Sequence, residues 1–450
     1  MKVALTRPNY HTHLITPPLG IGYLSSYLKS KGVVTKIVDG LNLRMSNEEI
    51  VERVAECELV GLTVLTDYYL PAKDLTDKLK LAGKIVVWGG AHASCLPRQV
   101  LDETQADYVV VAEGEVILYE LIEALANNKS VEDLPGVYSR KTENFKPREL
   151  IKNLDELPFP DWQEINPKEY QKAPHGALIK NFPVAPITST RGCPYECTFC
   201  ASPKIWSRTL RFRSPENVVD EIEYLVKNFG VKEIHFEDDN LTMKRSHIEG
   251  ICKEILKRDL KISWATPNGI RADRIDKELL SLMKKSGCYY VVFGIESANQ
   301  YILDNVKKHE KLEQVEKAII WCNKLGLMTQ GFFIFGLPGE TKKSIENSNN
   351  FARNCPLDRA QFLLLDLIPG SELWDKHHSE ISYDYNKRSY QDTTWVPQTI
   401  SREELLKAQP LAFKKFFFRP RPIWSLVKHF KPAQLNFVLN RLKDFRIIQK

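Results

Sequence analysis

Residues 191–200 read RGCPYECTFC, and the spacing of Cys193, Cys197 and Cys200 decides how the rest of the chain is read. The other six cysteines, Cys57, Cys95, Cys252, Cys288, Cys322 and Cys355, stand singly, as free cysteines used as small buried hydrophobes do. Three thiols within eight positions call for ligand chemistry instead. Structural zinc wants four ligands, usually as paired C-x2-C knuckles, and no second pair lies near. An iron-sulfur cube is held by thiolates on its irons, four of them in a ferredoxin. Three thiolates leave one iron open.

Outward from this stretch, two series of strand and helix patterns appear. Before it, "KVALTRP", "VTKIVDG", "LVGLTVL", "KIVVWGGAH" and "ADYVVVAEGE" alternate with amphipathic segments, among them a helix from about Ser46 to Glu56. Near-continuous β-branched runs alternating with helices predict a five-stranded, doubly wound parallel sheet over residues 1–135. Ligands of such a sheet sit beyond the carboxyl ends of its strands. Residues 136–182 lose this periodicity under Pro147, Pro158, Pro160, Pro167 and Pro174, and read as a linker or wrapping segment. A second series follows over 183–400: "APITSTRGC", "KEIHFEDD", "ISWATPNGI", "YYVVFGIES", "TQGFFIFGLPGE" and "AQFLLLDLIPG". The helical stretches between them, such as "SPENVVDEIEYLVKNFG", stop at glycine. Six βα units predict a partial (βα)6 barrel of TIM type, with its chemistry at the C-terminal strand ends, where the cysteines lie.

The cysteine stretch resembles the radical S-adenosylmethionine (SAM) superfamily, whose signature is C-x3-C-x2-C with an aromatic before the last cysteine, the place of Phe199. The resemblance implies a [4Fe-4S] cluster on Cys193, Cys197 and Cys200 that cleaves SAM reductively to a 5'-deoxyadenosyl radical. It extends over residues 183–375 and assigns SAM contacts strand by strand. "FEDDN", with Glu237, Asp238 and Asp239, matches the element for the methionyl amine. Asn268 and Arg271 of "NGIRAD", and Glu296 and Ser297 of "GIES", match positions for ribose and carboxylate. Gly331, Ile334 and Gly336 of "GFFIFGLPGET" match the adenine element. An external flavodoxin- or ferredoxin-type donor would supply the electron.

The first domain is similar to the cobalamin (B12)-binding domain fused to members of this superfamily, through "TPPLGIGYLSSYLKSKG", "GLTVLT" with Thr63, "VVWGGAHAS" with Gly89 and Gly90, and "ADYVVVAEGE" with Glu113 and Gly114. Glycines without a Cβ leave room for a large flat or tailed ligand. The loop after the first strand, "RPNYHTHLITPPLG", departs from D-x-H-x-x-G, so neither His11 nor His13 is placed to ligate cobalt. A dinucleotide-binding fold is the rival, but G-x-G-x-x-G is missing after strand one. With both cofactors, the resemblance to class B radical SAM methyltransferases implies methylation of an unactivated carbon. Ring formation or oxidation with an empty or differently used B12 domain is the alternative, and an iron-sulfur sensor or scaffold a non-catalytic third. Tyr195 and Tyr289 are candidate hydrogen donors, and Trp206, Tyr290 and Phe362 further candidates for the pocket.

Hydrophobic residues make up 43% and charged residues 27% of the 450, ordinary globular usage. The formal charge of +6 is concentrated in the last 50 residues, 401–450. There Lys414, Lys415, Arg419, Arg421, Lys428, Lys431, Arg441, Lys443 and Arg446 interleave with Phe416, Phe417, Phe418, Trp424, Phe430 and Phe437. This helical tail reads equally as a peripheral contact with anionic lipid or as a cap on the barrel. The tail resembles the one that closes family members acting on polycyclic or isoprenoid lipids, which implies a lipid-like small-molecule substrate; nucleic acid is disfavoured, since no RNA module accompanies it. No signal-peptide pattern or run of ~20 apolar residues occurs, so a cytoplasmic enzyme is expected, at most peripheral at the inner membrane surface.

Overall fold

The computed structural model describes residues 1–12, 14–171, 179–381, 385 and 392–429. The first sheet is built from β1 (Lys2–Arg7), β2 (Val34–Asp39), β3 (Leu59–Thr63), β4 (Ile85–Gly89), β5 (Tyr108–Val110) and β6 (Val137–Tyr138), in the order β2-β1-β3-β4-β5-β6. Five strands are parallel, as the β-branched runs require. The sixth, β6, pairs antiparallel with β5, so the sheet has one strand more than the sequence predicts and extends past residue 135. Two residues are too short to show a period of two, which is why the pattern hides it. Alternate side chains feed two cores. Val3, Leu5, Leu59 and Val87 pack on one face, and Ala4, Val60, Leu62, Val86 and Trp88 on the other, so both faces are buried. The predicted helix at 46–56 forms over Asn47–Arg53, where Ser46 and Glu49 make a reciprocal capping box.

The strand order reverses between β1 and β3. At such a switch point the connections leave to opposite faces and a crevice opens beyond the strand ends. Gly90, just past β4, has φ 89°, and a Cβ there would come within 2.8 Å of the Val64 backbone nitrogen. Its bareness makes room for Thr63 and Val64 at the end of β3.

The second sheet is an open barrel wall of β7 (Val184–Ile187), β10 (Glu233–Phe236), β11 (Ser263–Ile270), β12 (Cys288–Glu296), β13 (Met328–Phe335) and β14 (Arg359–Leu364), all parallel and in chain order. Between β7 and β10, a two-residue ribbon of β8 (Thr190–Arg191) and β9 (Arg211–Phe212) pairs antiparallel. Six parallel strands agree with the predicted partial barrel. The helices on its outside begin and end as the sequence signals: Ser214 caps Pro215–Phe229, which stops at Gly230 in the left-handed region.

The first part of the tail is a cap on this barrel. Helix Arg402–Phe417 buries Leu405, Ala412, Phe413 and Phe416, and Phe413 and Phe416 meet Phe362 of β14 edge-on. Phe362 therefore belongs to the core and not to a pocket. Helix Pro420–His429 leaves Ile423 and Trp424 exposed. Lys431, Arg441, Lys443, Arg446, Phe430 and Phe437 lie outside the described residues. Among the described residues no helix is long and apolar enough to cross a membrane.

The segment between the sheets wraps as a strap. Asp161 accepts from Ser25 Oγ (2.7 Å) and Lys29 Nζ (2.6 Å) on the first domain. Beside it, buried Trp162 donates Nε1 to Glu221 of the barrel at 2.9 Å. Tyr170 donates to Asp39 at 2.8 Å, and Ser214 N to Asp155 at 2.8 Å.

Candidate functional site

Beyond the ends of β1, β3, β4 and β5 lies a cavity of about 350 Å³, closed on its other side by residues following β7 and β10. Thr63, Gly89, Gly90, Glu113 and Gly114 all line it, with Glu237, Asp239, Arg191 and Trp206 opposite. Sequence distance hides this meeting; the C-terminal ends of both parallel sheets face one space. Gly20 and Gly89 leave this space open: a Cβ would meet nothing within 4 Å at Gly20 and nothing nearer than 3.8 Å at Gly89. Gly114 instead makes room for Leu24, 3.1 Å from its missing Cβ. No histidine is among the lining residues, in keeping with the altered loop after β1; His13 lies outside the described residues.

The cysteine loop leaves the end of β8. Gly192 has φ 99°, and a Cβ would strike the Thr209 carbonyl oxygen at 2.4 Å, so only glycine turns the chain here. Cys193, Cys197 and Cys200 are half-buried and unpaired as disulfides. Desolvation raises all three thiols, Cys200 to about 12, and the Cys193 sulfur adds to the rise at the other two. Such thiols are poor free nucleophiles and good ligands for a cationic cluster that displaces their protons. Among the described residues no three His, Cys, Asp or Glu side chains converge on one metal ion. A cube, in which each thiolate binds its own iron, asks for no such convergence.

Around the loop, the predicted SAM residues divide. Glu237 and Asp239 face the cavity, and Asp239 accepts a hydrogen bond from Ser202. Asp238 turns away: its Oδ1 accepts from Ser189 N (3.0 Å), Ser189 Oγ (2.8 Å) and Thr190 Oγ1 (2.6 Å), fixing the turn into the cysteine loop. Burial pushes its carboxyl up to about 6 against the pull of these donors. Asn268 is exposed although it lies within β11, and its Nδ2 donates to the Glu237 carbonyl at 2.8 Å.

Arg271 is buried, its guanidinium carbon 3.8 Å from the centre of the Tyr195 ring, and it binds Asp273 and the Lys308 carbonyl. Arg274 donates to the Tyr195 hydroxyl at 2.8 Å. The candidate hydrogen donor Tyr195 is thus a platform between two arginines.

Glu296 ends β12 with φ 63°, strained for a residue with a side chain. Its carboxylate meets Lys308 Nζ at 3.2 Å, and Glu310 lies 3.8 Å from the same nitrogen. A Cβ on Gly294 would come within 2.5 Å of Glu296 Oε1, so that glycine makes room for the pair. Sequence reading missed Lys308, hidden in the charged run "VKKHEK". Only its burial marks it. Ser297 is buried, and among the described residues its hydroxyl has no partner. Phe199 and Ile334 pack on the same apolar cluster, with Ile302, Val306 and Leu337. Gly336 donates its N–H to Glu340 at 2.6 Å, whereas Gly331 yields space to Ile295, 2.7 Å from its missing Cβ. Gly331 is a packing residue.

Tyr289 is not at the site. It is the second residue of β12, at the end of the barrel opposite the cysteine loop, with Tyr290 beside it. Its hydroxyl donates to buried Glu233 at 2.5 Å. Tyr289→Phe should therefore leave turnover within about twofold while costing about 1–3 kcal/mol in chemical denaturation. A large activity loss with unchanged stability would contradict this placement.

The sequence profile of the Radical SAM superfamily matches residues 187–352, and that of the B12 binding domain residues 11–122. The chain is 31% identical to an uncharacterized methyltransferase of Pyrococcus horikoshii, over 90% of this chain and 88% of the relative. It is 30% identical to an anaerobic magnesium-protoporphyrin IX monomethyl ester cyclase of Rubrivivax gelatinosus, over 93% of this chain and 77% of that one. The fold matches that of TsrM from Kitasatospora setae, a radical S-adenosylmethionine methyltransferase solved with cobalamin and a [4Fe-4S] cluster, at a TM-score of 0.73 and 18% identity, over 96% and 91% of the two chains. Relatives this similar along nine-tenths of the sequence answer the question the cysteine spacing raised: the chain belongs to the family of radical SAM enzymes that carry a B12-binding domain.

Proposed function

We propose that the protein methylates an unactivated carbon of a small-molecule substrate, using a [4Fe-4S] cluster, SAM and cobalamin. The observation that carries this reading is the cavity shared by the two sheet ends, with Arg191, Ile205 and Trp206, which flank the cysteines, in its wall. Bound there, the cofactors would supply a 5'-deoxyadenosyl radical and a transferable methyl group. The chain's own residues do the rest. Cys193, Cys197 and Cys200 hold the cluster; Glu237 and Asp239 offer carboxylates to a cationic amine; Asn268, Glu296 and Ser297 are placed for the remaining polar groups of SAM; Phe199 and Ile334 give its base an apolar seat. On the other side Thr63 and Gly89 border the room for cobalamin. Leu19, Ile21, Leu24, Leu118 and Trp206 keep water from the space between.

A ring-forming or oxidative reaction is the second reading, favoured by the relative from Rubrivivax gelatinosus, whose name is that of a cyclase. Anaerobic expression with cobalamin supplied, followed by metal analysis and product mass, separates them. About four irons and about one cobalt per chain, with a product gaining one methyl from SAM, is the expected result. Iron without cobalt, or a product that only loses hydrogen, would overturn methylation. An external flavodoxin- or ferredoxin-type protein is the proposed electron donor, supported by the exposure of Pro194 and Glu196 on the cysteine loop. Reduced flavodoxin that leaves SAM intact would count against it.

A lipid-like substrate is proposed because the cavity lining is largely aliphatic and Trp424 stands exposed near Arg419 and Arg421. The matching expectation is that the chain sediments with anionic vesicles and that Trp424→Glu releases it. No sedimentation of the native chain would remove peripheral membrane contact from the proposal.

A further inference from the structure

The cysteine loop begins at Arg191 and closes at Arg211, and both ends are held by one carboxylate of the other domain. Arg191 Nη1 donates to Glu113 Oε1 and Arg211 Nη1 to Glu113 Oε2, each at 2.7 Å. Arg191 Nη2 goes to Glu115 at 2.7 Å, and the Arg191 guanidinium lies 5.3 and 5.2 Å from the ring centres of Tyr23 and Trp206. All four charged groups are buried. Burial raises the Glu113 carboxyl, but the two arginines outweigh it and hold the group below its ordinary range. Glu113, expected from its motif to touch cobalamin, thus binds both ends of the cluster loop, and its Oε2 also accepts from Ile151 N of the strap at 2.8 Å.

Its backbone has a second task. Ala112, Glu113 and Gly114 form one wall of the cavity, in a turn where Ala112 takes φ 65°, a left-handed conformation unfavourable to alanine. The same turn therefore faces the cavity and grips the base of the loop that presents the three thiols. Both ends of that loop are reached from the turn through one carboxylate.

We propose that Glu113 is a positioning residue that couples filling of the cavity to the geometry of the cysteine loop, so that each cofactor changes the affinity for the other. The proposal rests on the cofactor reading above. Coupling of this kind is reciprocal, and a network that merely stabilised the fold would show none of it.

The test is equilibrium binding of hydroxocobalamin to the full chain under anaerobic conditions, once with the cluster reconstituted and once with iron stripped by chelation. Spectra of the reduced cluster are recorded with and without cobalamin by electron paramagnetic resonance. The native chain should show Kd values differing by about fivefold or more between the two forms, and a cluster signal that shifts on binding. Glu113→Gln should bring the ratio within about twofold and make the signal insensitive. Arg211→Met, which frees only the closing end of the loop, should do the same and decides the question if the first variant does not fold. Equal affinities in the native chain, or a ratio that survives in a folded variant, would overturn the coupling. A native chain that takes up no cobalamin in either form would overturn the cofactor reading itself, and the coupling with it.

Discussion

Cys197→Ala should leave the chain folded and unable to cleave SAM. Cys197 is half-buried in a loop whose shape is set elsewhere, by Gly192, the β8–β9 ribbon and the carboxylate of Asp238, so removing one sulfur leaves that scaffold standing. Loss of a mere outer partner of a metal site costs about 10–100-fold; loss of a direct ligand to the cluster should exceed that, with 5'-deoxyadenosine falling to background. Iron content and 5'-deoxyadenosine release, measured beside a thermal melt, check it. Retained cleavage at a tenth of the native rate or more would mean that Cys197 is not a ligand. If no SAM is cleaved by the native chain either, the sensor reading regains its ground.

Lys308→Met is expected to cost stability as well as chemistry. The ammonium sits in a pocket with Glu296 and Glu310, all three groups buried, so solvent screening is weak. Burial lowers the lysine's proton affinity, but the two carboxylates overcome this and raise it above the ordinary value. Methionine fills the stem and removes the charge, leaving two carboxylates with no countercharge on that side. Breaking a buried pair in this way costs about 3–5 kcal/mol. The pH dependence has a definite sign. Burial already raises the Glu310 carboxyl above its ordinary value, and without Lys308 it rises further. A carboxyl whose folded pKa lies above its unfolded one takes stability away as pH climbs from the unfolded value through the folded one. The variant should therefore be nearer to native stability at pH 5 than at pH 8 in urea titrations. A cost below about 1 kcal/mol at both pH values, the range of an exposed pair, would show that the group is solvated.

Much of the barrel site was legible because its chemistry is local. The cysteines, the carboxylates after β10 and the Gly-Ile-Glu-Ser end of β12 each follow a strand directly, and the parallel direction of the strands carries them to one rim. The same rule, applied to strand polarity, would have moved Tyr289 to the far rim, since it precedes Glu296 within one strand. What stayed hidden depends on pairings between distant residues. Glu113 meets Arg191 and Arg211 from 78 and 98 positions away, and nothing in "VAEGE" distinguishes a clamp from a ligand contact. Glycine was ambiguous for the same reason. Gly89 opens the cavity, whereas Gly90, Gly114 and Gly331 yield room to Val64, Leu24 and Ile295.

The strap has a consequence for how such a chain is made and inherited. Trp162 reaches its hydrogen-bond partner, Glu221, on a barrel helix that leaves the ribosome some sixty residues later, while Asp161 binds a helix already made. An indole is expensive to leave in water, and truncating a buried tryptophan costs about 3–5 kcal/mol. During synthesis the strap is therefore finished late, and a gene cut between the two sheets would leave it attached to one product with its partners on the other. Shuffling that moved the first sheet alone would leave Ser25 and Lys29 without Asp161, and moving the strap with it would leave Glu221 without Trp162.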